Sequence, residues 1–209
     1  KDFAFEDSSI APTQQLPISL RVIGDNAFND AIGLMRISWA ASAHAMLETI
    51  GESAFVGTGL QEFNPAWIGG PAAAPARLIN LKTIGKNAFL DVDTLEGTVN
   101  FEFSPIEKIA EGAFKNTNVG HRLWDPSLPA WVTHEVVFNE TLQELADEAF
   151  YNTGIESIEF LRGYTGDEPA TADEYFALFS KLGKKVFGSA SVRYRRHETF
   201  NMLLSLHKI

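Results

Sequence analysis

The sequence has no cysteine and no long apolar run, and each absence excludes a class of protein. Without thiols the chain has no disulfides, no cysteine nucleophile and no cysteine-ligated metal. No segment approaches the ~18 consecutive apolar residues that a membrane-spanning helix needs. With 209 residues, of which 45% are hydrophobic, the chain is nevertheless long enough to bury a sizeable core.

Positive charge is also scarce. Only 17 residues are Lys or Arg, against 27 Asp and Glu, and the formal net charge is −10. A surface this negative repels phosphate backbones and anionic lipids. We therefore expect no nucleic acid and no membrane surface among its partners, and instead a protein with basic patches.

Catalytic and metal-binding motifs are missing from the sequence. It has no Gly-x-Ser-x-Gly, no His-Glu-x-x-His and no phosphate-binding glycine loop. His121, Asp125 and Ser127 lie close in sequence, but a catalytic triad draws its partners from separate parts of a fold. The five histidines are scattered, and none is spaced for a second metal ligand. We predict that the chain is not an enzyme and binds no metal or cofactor.

A hexamer that recurs five times is the main feature that the sequence does contain. It reads aliphatic, small, two mostly polar residues, Ala, Phe, and one such match is expected by chance at roughly one position in ten thousand. Five matches in one chain indicate a repeat architecture. The copies occupy residues 23–28, 50–55, 84–89, 109–114 and 145–150.

Each hexamer predicts one coil of a solenoid. Its Phe and aliphatic residue point into a shared core, its Ala allows neighbouring coils to approach, and the two residues before Ala face water. One coil cannot bury its apolar face alone, so stacked coils should lay Phe on Phe along the axis. We expect parallel pairing of the strand-like runs that follow, which start at Leu34, Leu60, Leu95, Val119 and Ile155.

Two long intervals between hexamers contain insertions, at about residues 64–80 and 127–139. Trp67 and Trp131 lie in these insertions and have no assigned core position, so they are candidates for exposed contacts. Trp39 and Trp124 fall instead at inward positions of the strand pattern, and for them we predict core packing.

The two ends depart from the repeat. Residues 1–19 read as a partial coil, and no hexamer is evident from Gly163 onward. A capping box at 171–174 predicts a helix that ends at Gly183, and a second helix is predicted over 198–206. We therefore divide the chain into a solenoid at 1–162, with five repeats and the partial coil, and a C-terminal capping region at 163–209.

The hexamer Ile-Gly-x-x-Ala-Phe, followed by Leu-x-x-aliphatic, resembles the BspA-type leucine-rich repeat over about residues 16–162. The chain departs from that pattern in its long insertions and in Ala110 and Ala146, where Gly is usual. The resemblance implies an α/β fold, a right-handed leucine-rich-repeat solenoid with parallel strands stacked coil on coil. It also implies a bacterial extracellular or cell-surface location.

The resemblance further implies a binding module whose ligand is a protein, such as a host matrix or surface protein, with a role in adhesion. A glycan-binding or structural surface component is the alternative, in which the aromatic residues of the insertions contact sugar rings. The candidate binding residues are the outward strand positions and the two insertion tryptophans, namely Arg36, Ser38, Glu62, Asn64, Ser157, Glu159, Trp67 and Trp131.

Overall fold

A computed structural model of the chain shows a stack of coils built from short strands. It describes residues 2–6, 8–39, 44–63, 77–120, 135–155, 157–161, 181–188, 192–195 and 201–204. Helices are absent from these residues. The strands are β1 (Thr13–Leu16), β2 (Val22–Ile23), β3 (Arg36–Trp39), β4 (Thr49–Ile50), β5 (Thr83–Ile84), β6 (Glu96–Gly97), β7 (Val99–Asn100), β8 (Lys108–Ile109), β9 (Asn118–Val119), β10 (Glu135–Asn139), β11 (Glu144–Leu145), β12 (Ser157–Leu161), β13 (Lys181–Leu182), β14 (Val192–Arg195) and β15 (Asn201–Leu204).

One six-stranded sheet, here called the hexamer sheet, contains the start of every hexamer. Its strands β2, β4, β5, β8, β11 and β13 pair in chain order and are all parallel. The register places the first aliphatic residue of each hexamer opposite that of the next, as Ile50 lies opposite both Ile23 and Ile84. Each coil therefore contributes one strand to this sheet.

A second row of strands follows the hexamers. It consists of the pair β1–β3, the pair β6–β9 and a five-stranded sheet in the order β7–β10–β12–β14–β15. A backbone hydrogen bond from Gln61 to Met35 and a parallel bridge between Glu62 and Glu96 connect the middle coils. Among the described strands every pairing is parallel except β14–β15, which confirms the predicted parallel stacking. Apolar residues from both rows fill one core between them.

The predicted phenylalanine ladder is present. The rings of the five hexamers stack with centroids 4.9–5.2 Å apart and planes within 10° of parallel. All five side chains are buried. Phe5 extends the ladder at the first coil, 5.1 Å from Phe28, and Phe187 extends it at the other end, 5.5 Å from Phe150.

Phe187 belongs to a sixth hexamer, which was not predicted from the sequence. Residues 182–187 read Leu-Gly-Lys-Lys-Val-Phe, with Val186 in the place of Ala. Gly183 is required because a Cβ there would lie 2.2 Å from the backbone of Ala146 and Asp147. The expectation of no hexamer after Gly163 is therefore wrong, whereas the division of the chain at residue 162 stays a prediction.

Helix predictions near the C-terminus also need correction. The helix over 171–183 lies largely outside the described residues, and its Lys181–Leu182 form β13 in the hexamer sheet. The helix over 198–206 is wrong where it can be compared, because Asn201–Leu204 form β15, antiparallel to β14. An open strand edge offers these residues backbone partners, and tertiary context of this kind overrides helix propensity.

The insertions are shorter than the sequence suggested. Residues 135–139, which we assigned to the second insertion, form β10, with Val136 and Phe138 in the core. Leu78, which we assigned to the first, is fully buried. The core therefore recruits apolar residues on the C-terminal side of both insertions.

Candidate functional site

The second row of strands presents a polar outer surface, here called the outer strand face. Its residues on neighbouring coils lie side by side, since Thr13 is opposite Arg36, Gln15 is opposite Ser38, and Glu62 and Glu96 form a bridge. The inward neighbours Leu16, Trp39 and Phe63 are buried. The outer strand face consists of Thr13, Gln15, Arg36, Ser38, Glu62, Glu96 and Asn118.

The structure brings together two of the predicted binding residues. The Nε atom of Arg36 lies 3.9 Å from Oε1 of Glu62, and the two side chains are 60% and 73% exposed. An ion pair this exposed contributes little to stability, so either group can exchange its partner for a ligand at small cost. Ser38 is half-buried, and its hydroxyl donates to the Gln14 carbonyl at 3.5 Å.

The remaining predicted residues are placed only in part. Ser157 and Glu159 lie on β12, where their backbones are opposite Arg193 and Arg195 of β14. Asn64, Trp67, Trp131 and the core candidate Trp124 lie outside the described residues. Trp39 is 5% exposed, which confirms its predicted core position.

Several residues of the outer strand face were not predicted from the sequence. Thr13 and Gln15 belong to β1, which we had assigned only to a partial coil. The sequence signal for them is weak, because Thr13, Gln14 and Gln15 are all polar and only Leu16, which lies opposite Trp39, is apolar. Glu96 and Asn118 were not predicted because the sequence does not define the strand register of the third and fourth repeats, and the structure pairs them directly.

The hexamer sheet has a different electrostatic character. Its charged side chains pair from one coil to the next, and Glu144 lies between two lysines. The hydrogen bond from Lys181 lowers the pKa of Glu144, and the Glu144 carboxylate raises the pKa of Lys181. The cross-coil pairs are Arg21–Glu48, Lys82–Glu107 at 3.6 Å, Lys86–Glu111 at 3.3 Å, Lys108–Glu144 at 3.1 Å, Lys181–Glu144 at 2.7 Å and Lys115–Glu148 at 2.7 Å.

No group of three or more His, Asp and Glu side chains that could hold a metal ion occurs among the residues that the structure describes. Within the same ranges, no helix has the length and apolarity needed to cross a membrane.

Comparisons with known proteins identify the family of the repeats. A model of the BspA type leucine rich repeat region matches residues 1–66, 76–123 and 132–209 in six copies. A crystal structure of a leucine-rich repeat protein from Bacteroides ovatus is similar over 91% of this chain and 44% of that chain, at 20% sequence identity and a TM-score of 0.49. The chain thus spans less than half of that protein, and a search of curated proteins found no match. Since the family model covers most of its residues, the chain belongs to the BspA-type leucine-rich-repeat family.

Proposed function

We propose that this chain is a non-enzymatic binding module, exposed on a cell surface or secreted, that adheres to a host matrix or surface protein through the outer strand face. Repeats of this family form a protein-interaction scaffold and are typical of bacterial surface and secreted proteins. The observation that carries the proposal is the row of exposed and half-buried polar side chains on consecutive parallel strands, with Arg36 and Glu62 at its centre.

The geometry of this face suits a macromolecular ligand. Coils lie about 5 Å apart, so outward residues recur at that spacing along the axis and make a broad surface. The core beneath is filled by the phenylalanine ladder, which leaves recognition to the surface. Arg is enriched among the residues that dominate binding energy at protein interfaces, which favours Arg36 as an anchor.

Tryptophans in the two insertions are proposed as flanking contacts. In sequence, Trp67 follows Glu62 by five residues, and Trp131 follows Asn118 by thirteen residues. Trp67 and Trp131 therefore follow in sequence from strands of the outer strand face. Aromatic side chains can also contact sugar rings. The experiment below therefore tests glycan binding as the alternative.

The test exchanges charges without removing the ion pair. The double variant Arg36→Glu with Glu62→Arg keeps opposite charges on the same two coils but reverses their polarity. Binding of a panel of host matrix proteins should weaken about tenfold or more, because a ligand whose charges complement Arg36 and Glu62 meets like charges in the variant. The control, Lys86→Glu with Glu111→Lys, reverses a similarly exposed pair on the hexamer sheet and should bind like the wild type.

Three outcomes separate the alternatives. If the Arg36 and Glu62 double variant and the variant Trp67→Ala with Trp131→Ala both bind like the wild type at low and high salt, the assignment to this surface is wrong. Slower association at high salt supports it, because long-range charge attraction is screened. If no matrix protein binds while a glycan array gives a signal that the tryptophan variant loses, the glycan-binding function replaces adhesion to a protein.

A further inference from the structure

Four consecutive coils each expose one large apolar side chain just before the hexamer sheet. These residues, here called the apolar stripe, are Ile18, Met46, Ile79 and Phe103, and each is between 36% and 39% exposed. Their segments are adjacent, since the Met46 amide donates to the Ile18 carbonyl at 2.8 Å. The Ala45 amide donates to the Arg77 carbonyl at 3.2 Å, and the Ser104 hydroxyl donates to the Leu78 carbonyl at 2.8 Å.

A row of alternating charges runs beside the stripe on the same four coils. The backbone amides of Glu48, Lys82 and Glu107 donate to the carbonyls of Arg21, Glu48 and Lys82, respectively, at 2.8–2.9 Å. The side chains are 38–59% exposed and pair in twos, Arg21 with Glu48 and Lys82 with Glu107. This charged row reads positive, negative, positive, negative and consists of Arg21, Glu48, Lys82 and Glu107.

Both patterns end at the same coil. The fifth coil has no exposed apolar side chain in this segment, where residues 139–141 are Asn, Glu and Thr, and the Gln143 amide continues the backbone register by donating to the Glu107 carbonyl. Asn139 is half-buried, with its amide Nδ2 donating to the Ser104 carbonyl. Because the apolar stripe and the charged row cover the same four coils, they form one bounded surface. Exposed apolar side chains grouped on neighbouring coils mark interaction sites, and the Arg77 guanidinium lies 3.7 Å over the Phe103 ring at one end of the stripe.

We propose that this surface binds a second copy of the chain in an antiparallel, two-fold dimer. A two-fold axis that lies in the contact plane, perpendicular to the stripe and between Met46 and Ile79, lays stripe on stripe and row on row. Reversing the row gives negative, positive, negative, positive, so every charge meets its opposite. Arg21 then faces the partner's Glu107, and Glu48 faces the partner's Lys82.

The alternating charges of the row favour this two-fold arrangement over one whose axis runs parallel to the stripe. A two-fold axis parallel to the stripe places the charged rows on opposite sides of the contact, where they do not meet. Isologous contacts are the commonest in homo-oligomers and require a self-complementary patch, which this row provides in the antiparallel sense. The surface shares no residue with the outer strand face, so a dimer presents two copies of that face.

The dimensions predict a weak dimer. Three coil-to-coil intervals of about 5 Å make the stripe about 15 Å long. Interfaces that bury less than about 1,200 Å² in total belong to weak or transient complexes. The dimer should therefore form reversibly at high protein concentration, and salt should weaken it by screening the charged row.

The first experiment measures self-association by sedimentation velocity, with the whole chain at micromolar to millimolar concentrations. We expect a monomer–dimer equilibrium that Met46→Asp weakens about tenfold or more, since it buries a charge at the centre of the contact. Ile32→Asp is the matched control, because Ile32 is 75% exposed and lies outside the stripe. A wild-type chain that stays monomeric overturns the proposal. The proposal is also wrong if Val22→Asp disrupts the dimer and Met46→Asp does not. Val22 is exposed at the first coil and is not part of the stripe.

The second experiment tests the antiparallel register by mixing two variants. Glu48→Lys alone places two lysines opposite each other, and Lys82→Glu alone places two glutamates opposite each other, so each homodimer should weaken several-fold. In a mixture, the lysine introduced at position 48 of one variant faces the glutamate introduced at position 82 of the other, and heterodimers should regain wild-type affinity. Circular dichroism verifies that each variant is folded. A mixture that associates no better than its components shows the antiparallel arrangement to be wrong.

Discussion

At the scale of the residue, the fourth position of each hexamer has a left-handed backbone. Its φ angle lies between 51° and 62° in all six hexamers, and Phe3 has the same conformation two residues before Phe5. This conformation is costly for most side chains other than Gly and Asn. The six residues are Asn26, Ser53, Asn87, Gly112, Glu148 and Lys185. The sequence pattern described them only as polar, although a backbone constraint also acts on them.

This constraint predicts the effect of a β-branched residue. Ser53→Val should lower the free energy of unfolding by about 1–2 kcal/mol, because its Cβ branch crowds the backbone at positive φ. Ser53→Asn should stay within about 0.5 kcal/mol of the wild type. Urea unfolding measures both. The control is Glu52→Val on the neighbouring exposed residue, and an equal loss in both valine variants would contradict the backbone explanation.

At the scale of the element, the phenylalanine ladder connects each coil to the next. Phe89 lies between Phe55 at 5.1 Å and Phe114 at 4.9 Å and is fully buried. Phe89→Ala should lower the free energy of unfolding by about 3–5 kcal/mol, since it leaves a cavity in the middle of the stack. Thermal unfolding measures the loss, with Ile32→Ala as an exposed control that should change stability little. An unchanged melting temperature for Phe89→Ala would refute the structural role of the ladder.

The hexamer sheet predicts a pH dependence centred on Glu144. Its hydrogen bonds with Lys181 and Lys108 hold its pKa below the ordinary value of 4.5. A carboxyl with a depressed pKa adds stability above its unfolded pKa and loses that contribution as pH falls through the folded pKa. Glu144→Gln should cost about 0.5–1 kcal/mol at neutral pH, since both lysines are largely solvated.

The stability difference between the wild type and Glu144→Gln should shrink below pH 4.5 and vanish once the wild-type carboxyl is protonated. Urea unfolding at neutral pH and at about pH 3 checks this. The control is Glu111→Gln, which removes a carboxylate with one lysine partner at 3.3 Å and should cost less at neutral pH. A difference that persists undiminished in acid would show that packing, not charge, is the contribution of Glu144.

At the scale of the whole molecule, the stack needs its last coil covered. Phe187 covers Phe150, β13 pairs with β11, and β14 pairs with β12. A chain that ends at residue 162 loses all three contacts and exposes an apolar end and open strand edges, so it should aggregate. Size-exclusion chromatography and thermal unfolding test this. A chain that ends at residue 195 keeps these elements and should stay soluble, whereas a soluble, cooperatively melting 1–162 fragment would disprove the need for a cover.

The sequence by itself determined the repeat and its core. A hexamer position that points inward must be aliphatic or Phe in every coil, so periodicity alone located the ladder and the five hexamer strands from Ile23 to Leu145. It failed at the sixth hexamer, where Val186 replaces Ala, and at β15, where strand pairing overrode a helical pattern. The inward constraint is local and repeated, which is why it can be recognised without a structure.

The tertiary structure alone decided which outward residues become neighbours. Spacing from the hexamers aligns the charged row, whose members each lie two residues before a hexamer. It does not place Asn118, four residues after Phe114, opposite Glu96, seven residues after Phe89. Backbone hydrogen bonds between coils fix that register, and exposed side chains are free to vary because solvent accepts any polar group. The candidate binding face therefore depends on a coil-to-coil register that the fold determines and the repeat pattern does not.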